Sequence, residues 1–353
     1  MRSLLLVGLM ALTACGGAEQ PATTDAPEAK GAPTELNLYI WTNYHSPEAI
    51  ARFEKEFNAH VNIDLYDNNE VIEQKLQSGQ APYDIVVPTD YMVLSLARQG
   101  LLQPLDESKL PNLANLDPAF DKLKAEGGPR YNVGYLWGST GFAVRTDKIT
   151  TPVDSWDALF DPQYKGRIVM LDDMREVFAA ALHTVGASIN SKDPAQIEAA
   201  RKKLIAQKEL VLAYDSSDFA GKIQAGDGWL VQGYSGELAR VARSSNGTIK
   251  YVVPKEGCSM ATDNLVIPTA AKHTELAHQF INFMLDPAVA ADTTNVTGYA
   301  TTNAAGKALI QPELLNDPAV FPPAELLSKC EFLMDLGDFT PTLDAAWTEI
   351  KAQ

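Results

Sequence analysis

From Leu36 onward, short apolar runs alternate with amphipathic ones, and that alternation leaves few folds open. Residues 36–41 (Leu-Asn-Leu-Tyr-Ile-Trp) read as a strand. Ser46-Pro47-Glu48 then supplies an N-cap, a first-turn proline and an acidic first turn. Ile50, Phe53 and Phe57 follow at helical spacing. Further strands are expected at 61–66 and 83–87, with helices at 71–77 and 91–98, the last stopped by Gly100. A second set follows, with strands at 167–171, 211–214, 229–232, 249–253 and 264–267. Its helices are expected at 176–185, at 194–207 with Asp193 as cap, at 236–244 and at 274–285. This pattern predicts an α/β fold with a parallel sheet. At ~150 residues per domain, 353 residues suggest two α/β lobes. No clean linker separates the two sets, so strands should join the lobes as a hinge. Ligands in such folds sit where loops at the carboxyl ends of strands meet in the crevice.

The first fifteen residues read as an address. Arg2 gives a positive start, and residues 4–12 form an apolar core too short for the ~20 residues that span a bilayer. The sequence Leu12-Thr13-Ala14-Cys15 followed by Gly16 resembles the bacterial lipobox, which implies cleavage before Cys15 and its lipidation. Residues 16–34 are rich in Ala, Pro, Thr, Gly and Glu without a large apolar side chain, so they read as a flexible tether.

The remaining composition works mostly by exclusion. There are 45 Asp plus Glu against 29 Lys plus Arg, a net charge of −16, which argues against a nucleic-acid partner and suits a cationic one. Three cysteines exclude a disulfide-dense scaffold or a four-cysteine zinc site. Five histidines show no ligand pairing, so no metal is expected. No G-x-S-x-G elbow, phosphate-binding loop, H-E-x-x-H or C-x-x-C is present, so neither catalysis nor a cofactor is expected. Gly-Ser-Thr-Gly at 138–141 reads as a turn near a crossover.

What recurs is an aromatic or a carboxylate just after a strand. Trp41-Thr42-Asn43-Tyr44, Pro88-Thr89-Asp90-Tyr91, Asp172-Asp173-Met174-Arg175-Glu176 and Tyr234-Ser235-Gly236-Glu237 each follow one, and Asp263 precedes another. Carboxylates neutralise ammonium groups and accept their hydrogen bonds. Aromatic rings bury methylenes and add ~0.5–2 kcal/mol of cation–π attraction per contact. Taken singly, an acid in such a place is usually a helix cap and a ring usually a core edge.

At these residues the sequence resembles the spermidine/putrescine-binding periplasmic proteins of bacterial ABC importers, an extracellular solute-binding protein family. The resemblance is carried by 39–44 (Tyr-Ile-Trp-Thr-Asn-Tyr), 53–57 (Phe-Glu-Lys-Glu-Phe), 83–91 (Tyr-Asp-Ile-Val-Val-Pro-Thr-Asp-Tyr) and the Leu-Asp-Glu-Ser-Lys-Leu-Pro-Asn-Leu-Ala-Asn-Leu-Asp-Pro run at 105–118. Asp-Asp-Met-Arg-Glu-Val-Phe at 172–178, Pro-Lys-Glu-Gly at 254–257 and Gly-Tyr-Ala-Thr-Thr-Asn at 298–303 continue it. It implies a two-lobed, type II-like periplasmic binding-protein fold. Its first lobe would be 35–141 plus about 264–320 and its second about 142–263 plus 321–353. It implies ligand contacts from Trp41, Thr42, Tyr44, Thr89, Tyr91, Asp173, Glu176, Tyr234, Glu237, Asp263 and Tyr299. Tyr234 stands where the family commonly has Trp, and Glu237 where its putrescine-preferring branch has Asp.

Two departures follow from the same resemblance. Ala261 replaces a large aromatic, and Leu333 replaces a pocket Gln; Met260 or Phe332 is a candidate to fill the space. Cys258 and Cys330 each lie three residues before a departed position, so a disulfide between them is expected, with two free thiols as the alternative. The expected function is a monomeric, lipid-anchored periplasmic protein that captures a polyamine and delivers it to an ABC permease. The alternatives are a polyamine-sensing subunit for a membrane signalling protein and a binder of another cationic metabolite.

Overall fold

The computed structural model describes residues 32–79, 82–120, 123 and 128–352. The leader at 1–15, its Cys15 and the tether up to residue 31 lie outside the described residues. Residues 33–353 form one compact unit. Among the described residues, no helix is long and apolar enough to cross a membrane.

The strands are β1 (Thr34–Trp41), β2 (Ala59–Tyr66), β3 (Ile85–Val86), β4 (Asn132–Arg145), β5 (Ile168–Met170), β6 (Val211–Tyr214), β7 (Leu230–Tyr234), β8 (Ile249–Val252), β9 (Ser259–Val266), β10 (Ala300–Thr301) and β11 (Glu331–Phe332). The longer helices are α1 (Pro47–Phe57), α2 (Asn69–Gln77), α3 (Asp90–Arg98), α4 (Met174–Thr184), α5 (Pro194–Lys208), α6 (Phe219–Ala225), α7 (Ser235–Ser244), α8 (Thr274–Met284) and α9 (Pro287–Thr297). A further helix, Thr340–Ala352, closes the chain. The expected caps form: the Ser46 side chain accepts from the Ala49 amide and that of Asp193 from the Ala195 amide. Thr34 already belongs to β1, so the tether expected to run to 34 ends earlier.

The strands join in the order β2-β1-β3-β9-β4-β7-β5-β6, with β10 and β8 on β4 and β11 on β9. The sheet is mixed, not parallel throughout. β2-β1-β3 and β7-β5-β6 are two parallel blocks. Between them, β4 and β9 run antiparallel to each other and to their neighbours in the path. β4 is the largest departure from the sequence reading. Its Gly138-Ser139-Thr140-Gly141, expected as a turn, lies inside a 14-residue strand. Both faces of β4 are buried, which erases the alternation that marks a half-exposed strand. A register shift between Gly134 and Leu136 interrupts its pairing with β9. β9 starts at Ser259, so Asp263 sits within the strand and not before it.

Each parallel block builds its own core. Leu36, Leu38, Ile40 and Phe53 pack with Ile85, Phe280 and Ile281 on one side. Phe142, Trp156, Ile168, Phe178, Leu204 and Trp347 pack on the other. Burial of such side chains contributes ~1.5–3 kcal/mol apiece. The strands β4 and β9 connect them, and a third cluster packs Val86 and Tyr91 with Ala179 and Ile189 across the two.

Candidate functional site

The carboxyl ends of both blocks open onto one cleft enclosing about 700 Å³ of space, part of it continuous with solvent. All eleven residues expected to contact ligand line it: Trp41, Thr42, Tyr44, Thr89, Tyr91, Asp173, Glu176, Tyr234, Glu237, Asp263 and Tyr299. Tyr66, Asp67, Asn69, Ser216 and the 138–140 stretch also line it and were not foreseen. Tyr66-Asp67 is an aromatic and an acid at a strand end, the signal that found the others. Asn69 is the first residue of α2, behind the cap Asn68, and the 138–140 stretch was hidden by the mistaken turn.

Asp263 anchors one end. The Tyr44 hydroxyl donates to its Oδ2 at 2.6 Å and the Thr89 hydroxyl to its Oδ1 at 2.8 Å. Asn69 donates to both Thr89 Oγ1 and the Tyr91 hydroxyl at 3.0 Å, fixing the two side chains of the α3 N-terminus. Burial pushes the Asp263 carboxyl up to about 7, against the pull of the Tyr44 and Thr89 hydrogen bonds. The free acid is therefore partly protonated at neutral pH.

The second anchor is the turn into α4. Asp173 is the N-cap, its Oδ1 accepting from the Glu176 amide at 3.1 Å and its Oδ2 from the Tyr234 hydroxyl at 3.3 Å. The acid thus caps a helix and lines the cleft at once. The Ser259 hydroxyl donates to Glu176 Oε2. Burial raises both carboxyls, and for Glu176 the neighbouring Asp173 charge adds to the rise. Two acids this close favour a cation between them or a shared proton.

Glu237, in the first turn of α7, is the third. Asn43 donates to its Oε2 at 3.1 Å, and Arg240 lies 3.8 Å from the same oxygen. Asn43 holds a left-handed φ of 57°, a conformation Asn tolerates better than most residues. Burial pushes Glu237 up to about 7.

Aromatic rings fill the space between the acids. Trp41 lies 4.6 Å from Tyr66 and 6.5 Å edge-on from Tyr234, its indole N–H donating to the Val87 carbonyl at 2.9 Å. Tyr44 meets Tyr299 edge-on at 4.6 Å. Ala261 and Leu333 complete the lining. Met260 and Phe332 do not fill the space beside Ala261. Successive residues of β9 face opposite ways. Met260 accordingly sits in an apolar cluster with Trp137 and Cys258, and Phe332 packs against that cluster. The Cys258–Cys330 disulfide is formed. Among the residues lining the cleft there are five carboxylates, Asp67, Asp173, Glu176, Glu237 and Asp263, and no Lys or Arg. Among the described residues, no group of three or more His, Cys, Asp or Glu could hold a metal ion.

Comparison with known proteins agrees with this geometry. Residues 48–322 match the family model of bacterial extracellular solute-binding proteins. A spermidine/putrescine-binding periplasmic protein of Salmonella typhimurium is 37% identical over 319 residues, covering 90% of this chain and 91% of its own. A solved chain from Listeria monocytogenes assigned to a spermidine/putrescine ABC transporter superposes with a TM-score of 0.85 at 35% identity, over 90% of this chain and 99% of the other. A lipoprotein of Treponema pallidum superposes with a TM-score of 0.81 at 27% identity, over 90% of this chain and all of its own. The fold is thus the two-lobed one of periplasmic binding proteins, and the chain belongs to the bacterial extracellular solute-binding protein family.

Proposed function

We propose that the protein is a polyamine-binding component of an ABC importer and is not an enzyme. One observation carries this: five carboxylates and a set of aromatic rings share a cleft with no Lys or Arg among its lining residues. Buried carboxylates are costly unless paired, so the cleft is built for a ligand that brings several positive charges and an apolar backbone between them. The names of the Salmonella and Listeria relatives support the same ligand class.

In this reading the lobes are 35–141 with about 264–320, and about 142–263 with 321–353. Both inner boundaries fall within β4 and β9. Asp263, on the hinge strand, takes one ammonium group with Tyr44 and Thr89. Asp173 and Glu176 take another, and Glu237 a third position. Trp41, Tyr91, Tyr234 and Tyr299 cover the methylenes, and Thr42 borders them. Ligand contacts from both lobes stabilise the closed form, which docks on the permease. The monomer is the transporting species. Lipidated Cys15, made the N-terminus by removal of residues 1–14, tethers it in the periplasm through the stretch that follows. The lipoprotein nature of the Treponema relative supports the anchor.

The test is a thermal-shift panel on the purified chain, freed of bound amines by unfolding and refolding. Putrescine, cadaverine, spermidine, spermine and agmatine should be tried, with calorimetry on each hit. A ligand at ~100 times its dissociation constant adds ~2.7 kcal/mol of stability. No shift with any of these amines would falsify the polyamine reading. For the anchor, Cys15→Ser should move the protein from the membrane fraction to the soluble one; unchanged membrane retention would count against lipidation.

A further inference from the structure

Two cysteines that do not line the cleft sit beside its carboxylate pair. The Cys258–Cys330 bond joins positions 72 residues apart, and Cys258 is fully buried. The residue after each cysteine opens a strand, β9 at Ser259 and β11 at Glu331. The strands run parallel, with Glu331 opposite Ser259 and Phe332 opposite Met260. Glu331 N donates to Cys258 O at 2.9 Å and Leu333 N to Met260 O at 3.0 Å. A two-residue ladder is far shorter than the usual strand of ~5–6 residues. The covalent bond at its start fixes its register.

Both strands then reach the turn that carries Asp173 and Glu176. From β9, the Ser259 hydroxyl donates to Glu176 Oε2. Just past β11, the Met334 carbonyl accepts from Arg175 Nη1 at 2.8 Å. Arg175 Nη2 donates to Asn190 Oδ1 at 3.1 Å. Asn190 in turn donates to the Phe332 carbonyl at 2.9 Å, and its Oδ1 accepts from the Met334 amide at 2.8 Å. Arg175 stands between the two acids in sequence, its guanidinium 5.3 Å over the Tyr91 ring. A slip of β11 along β9 would therefore release the acid turn from two directions and move Leu333 on the cleft wall.

We infer that the Cys258–Cys330 disulfide is a positioning element for the ligand cleft, setting β11 against β9 so that Ser259 and Arg175 hold the Asp173–Glu176 carboxylates in their ligand-gripping geometry. This rests on the polyamine reading of the cleft. Cys330 is partly exposed, which gives a reductant access. A dithiol supplies two electrons and two protons, converting the disulfide to two thiols while it becomes a disulfide itself. The reduced protein then grips its ligand more weakly.

The experiment compares the full chain with its Cys258→Ala/Cys330→Ala form, with and without Glu176→Gln, using spermidine and putrescine as probes in calorimetry and stopped-flow release. Removing the disulfide should weaken binding about tenfold, in the range for coupled members of one network, mainly through faster release. In the Glu176→Gln background the same removal should cost less than about twofold, because the group it positions is gone. Unchanged affinity with a lowered melting temperature overturns the inference, since it leaves the bond a purely structural role. An equal loss in both backgrounds, or two titratable thiols in the unfolded, unreduced chain, also overturns it. If the double variant does not fold, the wild-type chain reduced with dithiothreitol and alkylated is measured below its transition, with the same expected loss. If the oxidised wild type binds neither amine, the polyamine reading and this inference fall together. Binding that is indifferent to the disulfide sinks the inference alone.

Discussion

The Ser217 hydroxyl donates to Asp67 Oδ2 across 2.6 Å, joining the loops that leave β2 and β6, the strands at opposite ends of the sheet path. The Ser217 side of this bridge is rigid. The Asp215 carboxylate accepts from the Ser217 and Asp218 amides at 2.9 Å and pairs with Lys222 at 2.9 Å. Asp67 lines the cleft. The bridge thus ties a residue of the cleft wall to the loop that follows β6.

Ser217→Ala should speed ligand release while leaving association nearly unchanged. An exposed hydrogen bond of this kind contributes ~0.5–1 kcal/mol, so release should quicken about two- to fivefold. Stopped-flow tryptophan fluorescence reads it, with Trp41 in the cleft wall as reporter. An unchanged release rate would show that the bridge does not act on the bound state.

Asp263→Asn should weaken polyamine binding by ~2–5 kcal/mol, the usual cost of truncating one partner of a buried charge pair. The free protein should lose little stability, because the group it loses is a carboxyl that burial already disfavours in its charged form. Calorimetry gives the affinity and thermal denaturation the stability. Wild-type affinity in the variant would remove Asp263 from the site.

The pH dependence has opposite signs for free and bound protein. Asp263 and Glu237 are raised by burial to about 7, above their unfolded values. Between roughly pH 4 and 7 the folded state holds more protons than the unfolded one, so these two acids stabilise the ligand-free fold at low pH and that contribution is lost as pH rises through 7. A polycation favours the charged acids, so affinity should rise from pH 6 to 8 and binding near pH 7 should release protons. Calorimetry in buffers of different ionisation enthalpy counts those protons. A count of zero would mean that the acids are already ionised in the free protein.

Gly236→Ala should loosen the ligand by moving Tyr299. A methyl at Gly236 would stand 2.4 Å from the Tyr299 ring, too close for any real contact. Overpacking of this sort costs ~1–3 kcal/mol, divided between stability and affinity according to how far the ring yields. Melting temperature and affinity should be measured together, and wild-type values for both would show that Tyr299 has room to spare.

Most of the site was legible because its residues obey a local rule: they stand at strand ends, where aromatics and acids are visible without knowing the fold. That rule marks the segments holding Trp41, Thr89, Asp173 and Glu237, the family resemblance singles those residues out, and all four line one cleft. Asp263 obeys a different rule. It lies inside β9, and its partner across the ladder is Leu136 of β4, so its place in the cleft depends on a strand the sequence did not reveal. β4 carries Gly134, Gly138 and Gly141 and is buried along nearly its whole length, so neither periodicity nor composition announces it. The antiparallel centre of the sheet followed from that miss. The identity of the bridge between Asp67 and Ser217 is also non-local, 150 residues apart in the chain.

The interrupted register at Gly134–Leu136 sets a limit on how the gene for this chain can change. Beyond it, Leu136, Gly138 and Thr140 stand opposite Asp263, Ala261 and Ser259 in strict alternation. One codon inserted or deleted between 136 and 140 would turn every later residue of β4 to the opposite face. Gly138, which a methyl would press to 3.0 Å from Tyr299, would then be replaced by a bulkier neighbour. Along this stretch the number of residues is therefore constrained as well as their kind.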